Sequence, residues 1–427
     1  MAATSAYPDE TGGRETYIYE TSLALARLGH SVTLVTGARQ AGLAAEEHIS
    51  GVRFVRYPVN GSNLITLVSS WLHGLRGKIS ELLESGAGFD VVNCHGPWSA
   101  RAVSGVRQVH EIPRVYTFHS PVRREVELLL RDNPLVKGSV CKRFLRPLYL
   151  SVYKRLAHRA ERDGVHQSDC VVTLSQYMKD LALQCHCLPE PKVAVIPGGV
   201  DVNRFHPAAG RRAARQALGL PQYTTMLLTV RRLTSRMGLD VLIAAMHDIV
   251  ARVPNVLLVV GGKGPLERAV RSQVERLGLQ PSVRFAGYIP AERLPDYYRA
   301  ADLFVLPSVE LEGFGLVTLE ALSCGTPVAG TAVGGTRELL AGPGPGMLLS
   351  AESPKSLAEG ITAALRANGR EPDVVGARCR EYALTYAWPI VAERLAATYY
   401  DLVGAAGPLQ ITRSHRPAVA TKPSGTT

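Results

Sequence analysis

Short, wholly apolar runs alternate along most of this chain with longer segments whose apolar positions recur at helical spacing. The first half carries SVTLVTG (31–37), FDVVNCHG (89–96), RVYTFHS (114–120) and DCVVTLS (169–175). The second half carries TMLLTVRR (225–232), NVLLVVGG (255–262), SVRFAG (282–287), DLFVLPS (302–308) and TPVAGT (326–331). Runs this short and this apolar are strands buried on both faces, and the helix-length segments between them predict parallel sheets with crossover helices. KVAVIPGGVDVNRFHP (192–207) breaks the rhythm at Pro197, Gly198 and Gly199. It predicts a hinge over 191–207, between an N-terminal Rossmann-like domain of residues 1–190 and a C-terminal one of residues 208–380. The expected fold class is therefore α/β, with two doubly wound domains facing across a cleft. In such sheets ligands sit at the carboxyl ends of the strands. A last helical pattern covers 381–403, where Pro389 is expected to kink it. Residues 404–427 show no period and many breakers, and read as a disordered tail.

The start of the chain departs from this pattern. Gly12-Gly13 should follow the first, central strand of a doubly wound sheet, yet only MAATSAYPDET precedes it. Either that strand is unusually short or the true start lies upstream of this one, and the second reading is the expectation.

Composition narrows the class. The 427 residues are 46% hydrophobic and 20% charged, enough for more than one core, and the formal charge of +11 suggests an anionic partner. The seven cysteines are scattered and odd in number, which suits a reducing cytoplasm better than a disulfide framework. Cys185-His186-Cys187 lacks a second pair at finger spacing, so it reads as packing or loop chemistry rather than a metal site. No apolar stretch reaches the length of a membrane span and no signal peptide is indicated, so the expected location is the cytoplasm. The basic segment 142–162 interleaves Lys142, Arg143, Arg146, Lys154, Arg155, Arg159 and Arg162 with apolar residues. It reads as an ordinary surface helix, with peripheral contact to the inner face of an anionic membrane as the alternative.

The chemistry gathers in PSVELEGFGLVTLEALSCGTPVAG. A helix is predicted over 316–324, stopped by Gly325 and Pro327. Gly313 and Gly315 let the backbone approach a ligand, and free N–H groups at the helix start favour an anion. Glu312 and Glu320 stand on either side, about 7 Å of the axis separating Glu320 from the helix start at ~1.5 Å per residue. Two carboxylates so placed can hold hydroxyls on separate parts of one ligand. The plainer alternative is a solvated loop charge and a helix-surface charge.

This segment, continuing through GTAVGGTREL, closely resembles the E-x7-E signature of retaining family 4 glycosyltransferases, which have the GT-B fold. Further matches follow in the family's order: GGRETYIYETSLALARLGHSVTLVTG, HGPW (95–98), TFH (117–119), VVTLSQYM (171–178), VIPGGVDVNRF (195–205), VGGKGPL (260–266) and VRFAGYIP (283–290). The resemblance covers nearly all of residues 5–403 and implies a C-terminal helix crossing back to the first domain. It implies that Glu320 binds the ribose of a nucleotide diphosphate sugar, in its UDP or GDP form, and that Glu312 accepts from hydroxyls of the transferred sugar. Phe314, Gly315 and Leu316 would offer backbone N–H groups to sugar and phosphate. Arg232 matches the arginine that neutralises the departing diphosphate. His119 matches the histidine beside the reaction centre, and Gly12 and Gly13 the loop that closes over the phosphates.

Two positions depart from the family pattern. Met237 stands where many relatives carry a lysine, so Arg236 is expected to supply the second cation, and Gly198 replaces the usual hinge asparagine. No D-x-D stands beside a suitable strand end, so no metal and no cofactor are expected, and nucleic acid is not an expected partner. His30 and His206 read as structural, whereas His95 is balanced between lining the acceptor cleft and packing. The reading is a hexosyl transfer, with retention, from a nucleotide sugar to a hydroxyl acceptor, whether a glycan, a lipid-linked glycan or a small natural product. A sugar-nucleotide epimerase and a non-catalytic nucleotide-sugar sensor remain as alternatives. A dehydrogenase is disfavoured, because GGKGPL is not a dinucleotide-binding glycine loop.

Overall fold

The computed structural model describes residues 1–40, 42–61, 63–132, 140–208, 210–341, 347–350 and 353–405. Two sheets organise the chain. The first contains β1 (Ala2–Ala3), β2 (Val32–Ala38), β3 (Glu46–Ile49), β4 (Val52–Pro58), β5 (Val92–His95), β6 (Arg114–Phe118), β7 (Cys170–Thr173) and β8 (Val193–Val195). Their order is β3-β4-β2-β1-β5-β6-β7-β8, parallel except for the β3/β4 hairpin. The second contains β9 (Thr225–Val230), β10 (Val256–Gly261), β11 (Val283–Gly287), β12 (Leu303–Leu306), β13 (Val328–Thr331) and β14 (Met347–Leu349), in the parallel order β11-β10-β9-β12-β13-β14. Both strand orders reverse at the middle, which opens a crevice at the carboxyl ends.

All nine apolar runs of the sequence are strands here. β1 is two residues long and central, pairing with Val35 of β2 on one side and with Cys94 and His95 of β5 on the other. The β3/β4 hairpin was not legible as an alternating pattern, because its edge strand is mostly charged; Ser50 and Gly51 make its turn, both at positive φ. The predicted hinge begins a strand early, since Val193–Val195 still pairs with β7.

Each sheet buries its inner residues completely. Leu34, Phe54, Tyr116 and Phe118 fill the first core, and Leu227, Leu258, Phe304 and Leu306 the second. Each such side chain is worth roughly 1.5–3 kcal/mol of burial. The C-terminal pattern forms two helices rather than one kinked helix. Pro372–Leu384 ends before a break, and Trp388–Ala405 begins with Pro389 at its second position, where proline costs no internal hydrogen bond. That last helix packs against the helix Gly13–Arg27 of the first domain, with Trp388 against Tyr17 at 5.7 Å and the Tyr399 hydroxyl taking a 2.7 Å hydrogen bond from Asn93. The residues of the predicted tail beyond 405 lie outside the described ones.

The basic segment lies on the helix Val140–Gln167, and the side chains of 142–149 fall outside the described residues. Its described part turns Val152, Arg155, Leu156 and Arg159 outward on one face, while Ala157, Ala160 and Glu161 are buried. Among the described residues no helix is long and apolar enough to cross a membrane.

Candidate active site

The loop after β12 and the helix Leu316–Ser323 make one wall of the crevice. Gly315 caps that helix at φ +89°, a left-handed conformation that strains any side-chain-bearing residue. Among the described residues the N–H groups of Phe314, Gly315 and Leu316 have no hydrogen-bond partner, which leaves donors for a ligand oxygen. Phe314 is itself buried, packed against Tyr386, and a Cβ on Gly198 would stand 2.6 Å from Leu316 and 2.9 Å from Phe314. The glycine in the hinge thus has a reason: it lets the hinge lie against the site.

Glu312 is buried and engaged through one of its two carboxylate oxygens. Arg231 donates to its Oε2 in a short ion pair, and the Ser308 hydroxyl donates to the same oxygen at 2.8 Å. Arg231 also donates to Ser308 at 2.5 Å. Burial pushes the Glu312 pKa up, but the charges of Arg231 and Arg236 and the Ser308 hydrogen bond outweigh it, and the net shift is downward. Glu320 behaves oppositely. Burial raises its pKa against the hydrogen bond from the Tyr298 hydroxyl, at 2.7 Å, and the charge of Arg204.

The two adjacent arginines after β9 part company. Arg231 is the one turned onto Glu312, whereas Arg232 is exposed and has no ion pair or hydrogen-bonded side-chain partner among the described residues. The expected phosphate arginine therefore stands apart from the carboxylate cluster, and its neighbour occupies it, because successive side chains leaving a strand point to opposite sides. Arg236 lies near the cluster, donating to the Leu311 carbonyl at 2.6 Å and lying 3.9 Å from Glu125. Met237 is buried, so a lysine at that position would have to carry its ammonium out of the core.

The opposite wall belongs to the first domain. His119 follows β6 and pairs through Nε2 with Nδ1 of His95 at the end of β5, 3.1 Å away, one nitrogen donating and the other accepting. Both rings pack on Tyr17. Burial pushes the His119 pKa down to about 3, with the Arg14 charge adding to it, and burial likewise holds His95 well below its usual range. Gly12 caps the helix Gly13–Arg27 without a side-chain hydrogen bond, and next to it Arg14, Glu15 and Ser5 are bound together.

The walls meet through the 310–313 segment. Arg124 and Arg131 of the helix Val122–Asp132 both pair with Glu310, the Ser175 hydroxyl donates to the Gly313 carbonyl at 2.7 Å, and Gly313 lies against the His119 carbonyl. Asp132 accepts from the Ser235 N–H at 3.1 Å, beside Arg236. Glu338 accepts from the N–H groups of Gln176 and Tyr177, at 2.8 and 2.7 Å, and so caps a helix of the other domain.

Comparison with known proteins places this geometry. Residues 210–382 match the model of glycosyl transferases group 1, and residues 11–204 that of glycosyltransferase family 4. The D-inositol 3-phosphate glycosyltransferase of Segniliparus rotundus is 30% identical over 95% of this chain and 88% of its own length. The chain belongs to glycosyltransferase family 4. The mannosylfructose-phosphate synthase of Agrobacterium fabrum is 30% identical over 76% of the chain and 72% of its own length. Among solved structures, the sucrose-phosphate synthase of Thermosynechococcus elongatus superposes with a TM-score of 0.72 at 24% identity, covering 95% of this chain and 96% of its own. HepE of Anabaena, solved with UDP and glucose, gives 0.69 at 18% identity, covering 93% and 98%. At these identities the superpositions establish the GT-B fold.

Within this family 4 glycosyltransferase, four site residues escaped the sequence reading. Arg231, Ser308 and Tyr298 hold the two carboxylates, and Arg14 faces His119 electrostatically. The signal for Arg231 was present: a buried Glu312 needs a counter-charge, and of two consecutive arginines only one can turn toward it. His95, left balanced by the sequence, is a buried partner of His119.

Proposed function

We propose that this glycosyltransferase moves a sugar from a nucleotide diphosphate sugar, in UDP or GDP form, to a hydroxyl acceptor with retention at the anomeric carbon. The observation that carries the reading is Glu312 and Glu320 on either side of a glycine-capped helix start whose N–H groups have no hydrogen-bond partner among the described residues, with Gly313 of that loop against the His119 carbonyl. Glu320 would take ribose hydroxyls and Glu312 sugar hydroxyls, with Phe314, Gly315 and Leu316 donating to phosphate and sugar. With Nε2 engaged by His95, His119 keeps Nδ1 for the sugar.

Arg232, exposed after β9, and Arg236 would neutralise the leaving diphosphate, with the helix N–H groups beside them. The leaving phosphate then takes the acceptor proton on the same face, and positioning does the rest. Neither a metal nor an organic cofactor is needed in this scheme, which would run in the cytoplasm. The names of the relatives, an inositol 3-phosphate glycosyltransferase and two sugar-phosphate synthases, favour a phosphorylated polyol or sugar as the acceptor to try first.

The test is incubation with UDP- and GDP-sugars, in EDTA, across phosphorylated and free polyol acceptors, reading nucleotide release and product anomeric configuration by NMR. Transfer with the donor's configuration kept is expected. An inverted product overturns retention, a sugar epimer formed without acceptor favours the epimerase, and donor binding without turnover favours the sensor.

A further inference from the structure

Behind the His119 wall, away from the donor loop, two helices bring together His158, Glu161 and His186. His158 and Glu161 are three residues apart on the helix Val140–Gln167, so they share a face, and His186 ends the helix Gln176–His186 packed against it. One donor atom from each lies within 4.8 Å of one from each of the others. Glu161 and His186 are 1% and 3% exposed, and the carboxylate and imidazole are already 3.2 Å apart. His158 stacks on His186 at 5.5 Å between ring centres.

Two features set this cluster apart from an ordinary buried hydrogen-bonded pair. His186 Nδ1 is shielded from water and has no hydrogen-bond partner, the kind of orphaned lone pair that a protein interior rarely leaves. And two imidazoles with one carboxylate are a nitrogen-rich donor set of the kind that suits zinc better than magnesium or calcium.

We propose that His158, Glu161 and His186 form a binding site for a zinc-class divalent ion, a site separate from the sugar-transfer chemistry. With metal–ligand distances of about 2.0–2.2 Å, the donors must draw in by roughly 1 Å, and His158, half-buried at the rim, is the side chain with room to turn. The ion would be structural. Glu161 also accepts the Val122 N–H, at 3.0 and 3.2 Å, and so anchors the start of the helix whose Arg124 and Arg131 hold Glu310. Phe118, one residue before His119, packs edge-on against His186 at 5.9 Å. A metal there would clamp the two helices beneath the His119 wall. The motif Cys185-His186-Cys187 thus divides: its histidine turns inward and its two cysteines are exposed.

The experiment uses the full chain, stripped with EDTA, desalted and titrated with zinc chloride. Bound zinc is read by elemental analysis after a second desalting, Tm by calorimetry, and site geometry by the visible spectrum of the cobalt form. One zinc per chain and a rise in Tm with zinc are expected. His158→Gln, at the half-exposed rim where folding is least at risk, and Glu161→Gln should each weaken binding by more than about tenfold. The double variant Cys185→Ser with Cys187→Ser should bind as the wild type does. No retained zinc, equal binding in His158→Gln, or loss of binding only in the double serine variant, which would assign the ion to the surface thiols, each overturns the proposal.

Discussion

On the C-terminal wall of the cleft both carboxylates are buried and held by partners, Glu312, its pKa lowered, by Arg231 and Ser308, and Glu320, its pKa raised by burial, by Tyr298. The N-terminal wall instead offers an uncharged imidazole pair, His95 and His119, set over Tyr17. Both walls are buried, yet burial has opposite results, because it penalises whichever form is charged. Where a cation sits alongside, as at Glu312, charge survives. Where the stronger neighbouring charge has the same sign, as at His119 with Arg14 outweighing Glu15, burial drives the group toward its neutral form. The lesson is that one wall can recognise a polyhydroxyl, phosphate-bearing ligand through permanent charge, while the other shapes the reaction centre without adding a charge of its own.

The largest effect expected from breaking this contrast is on the ion pair itself. Arg231→Ala strands a buried carboxylate, so it should lose about 3–5 kcal/mol of stability by denaturant titration near neutral pH. The sign with pH follows from Glu312. Its folded pKa is depressed, so its contribution is present above the ordinary carboxylate range and is lost as pH falls through the folded value. The deficit of Arg231→Ala should accordingly shrink in acid. Arg232→Ala, on an exposed side chain, should stay within about 0.5 kcal/mol of wild type while slowing transfer. Equal destabilisation by both substitutions would remove the distinction drawn between the two arginines.

Next come the carboxylates as ligand groups. Losing a charge-assisted hydrogen bond costs roughly 1.5–3 kcal/mol, about ten- to 150-fold. Glu312→Gln should spend that on kcat and Glu320→Gln on donor KM, because they address different halves of the donor. Steady-state kinetics with varied donor would show it, and a loss in the same parameter for both would merge their roles.

These residues differ in how legible they were. Glu312, Gly315 and Glu320 lie in one contiguous stretch, and a helix start with a glycine cap is a local signal, so that half of the site and the alternating α/β pattern could be read directly. The first domain's contribution is not local: His95 and His119 come from neighbouring strand ends 24 residues apart, and only the parallel register of β5 and β6 brings them together. Arg231 escaped the sequence reading for a related reason. Family spacing favoured Arg232, and which of two consecutive side chains faces inward depends on how the strand leaves the sheet. The two-residue β1 carries too little apolar sequence to announce itself, and its place is set by β2 and β5 on either side.

A smaller effect is expected at Glu20, buried on the helix Gly13–Arg27. Burial, and after it the charge of Asp201, raises its pKa to about 7. A raised folded pKa means that its stabilising contribution is complete below the ordinary carboxylate range and is lost as pH rises through about 7. Glu20→Gln cannot ionise, so it should melt above the wild type at pH 8 and close to it at pH 5, each pKa unit being worth about 1.4 kcal/mol. Parallel melting curves across that range would mean that Glu20 is ionised throughout.

The smallest effect expected is no effect, and it tests the neutral wall most sharply. If His119 acts as an uncharged hydrogen-bonding group, its titration near 3 lies far below the working range, and kcat between pH 6 and 8 should carry no imidazole inflection. A histidine serving as a general base with its usual pKa would instead impose a fall in rate below about 6.5. Stability should behave differently from rate, because the unfolded chain still protonates His119 normally. With a depressed folded pKa, its contribution is present above the ordinary histidine value and is lost as pH falls toward 3, so acid should weaken the fold before it changes the chemistry. Glu20→Gln is the right background for the rate measurement, since it removes the titration near 7 at Glu20. In that background, a flat profile together with a large loss of kcat in His119→Ala supports a neutral ligand for the sugar. An inflection near 6.5 that vanishes in His119→Ala would show that the ring ionises during turnover, and the contrast between a charged wall and a neutral one would fall with it.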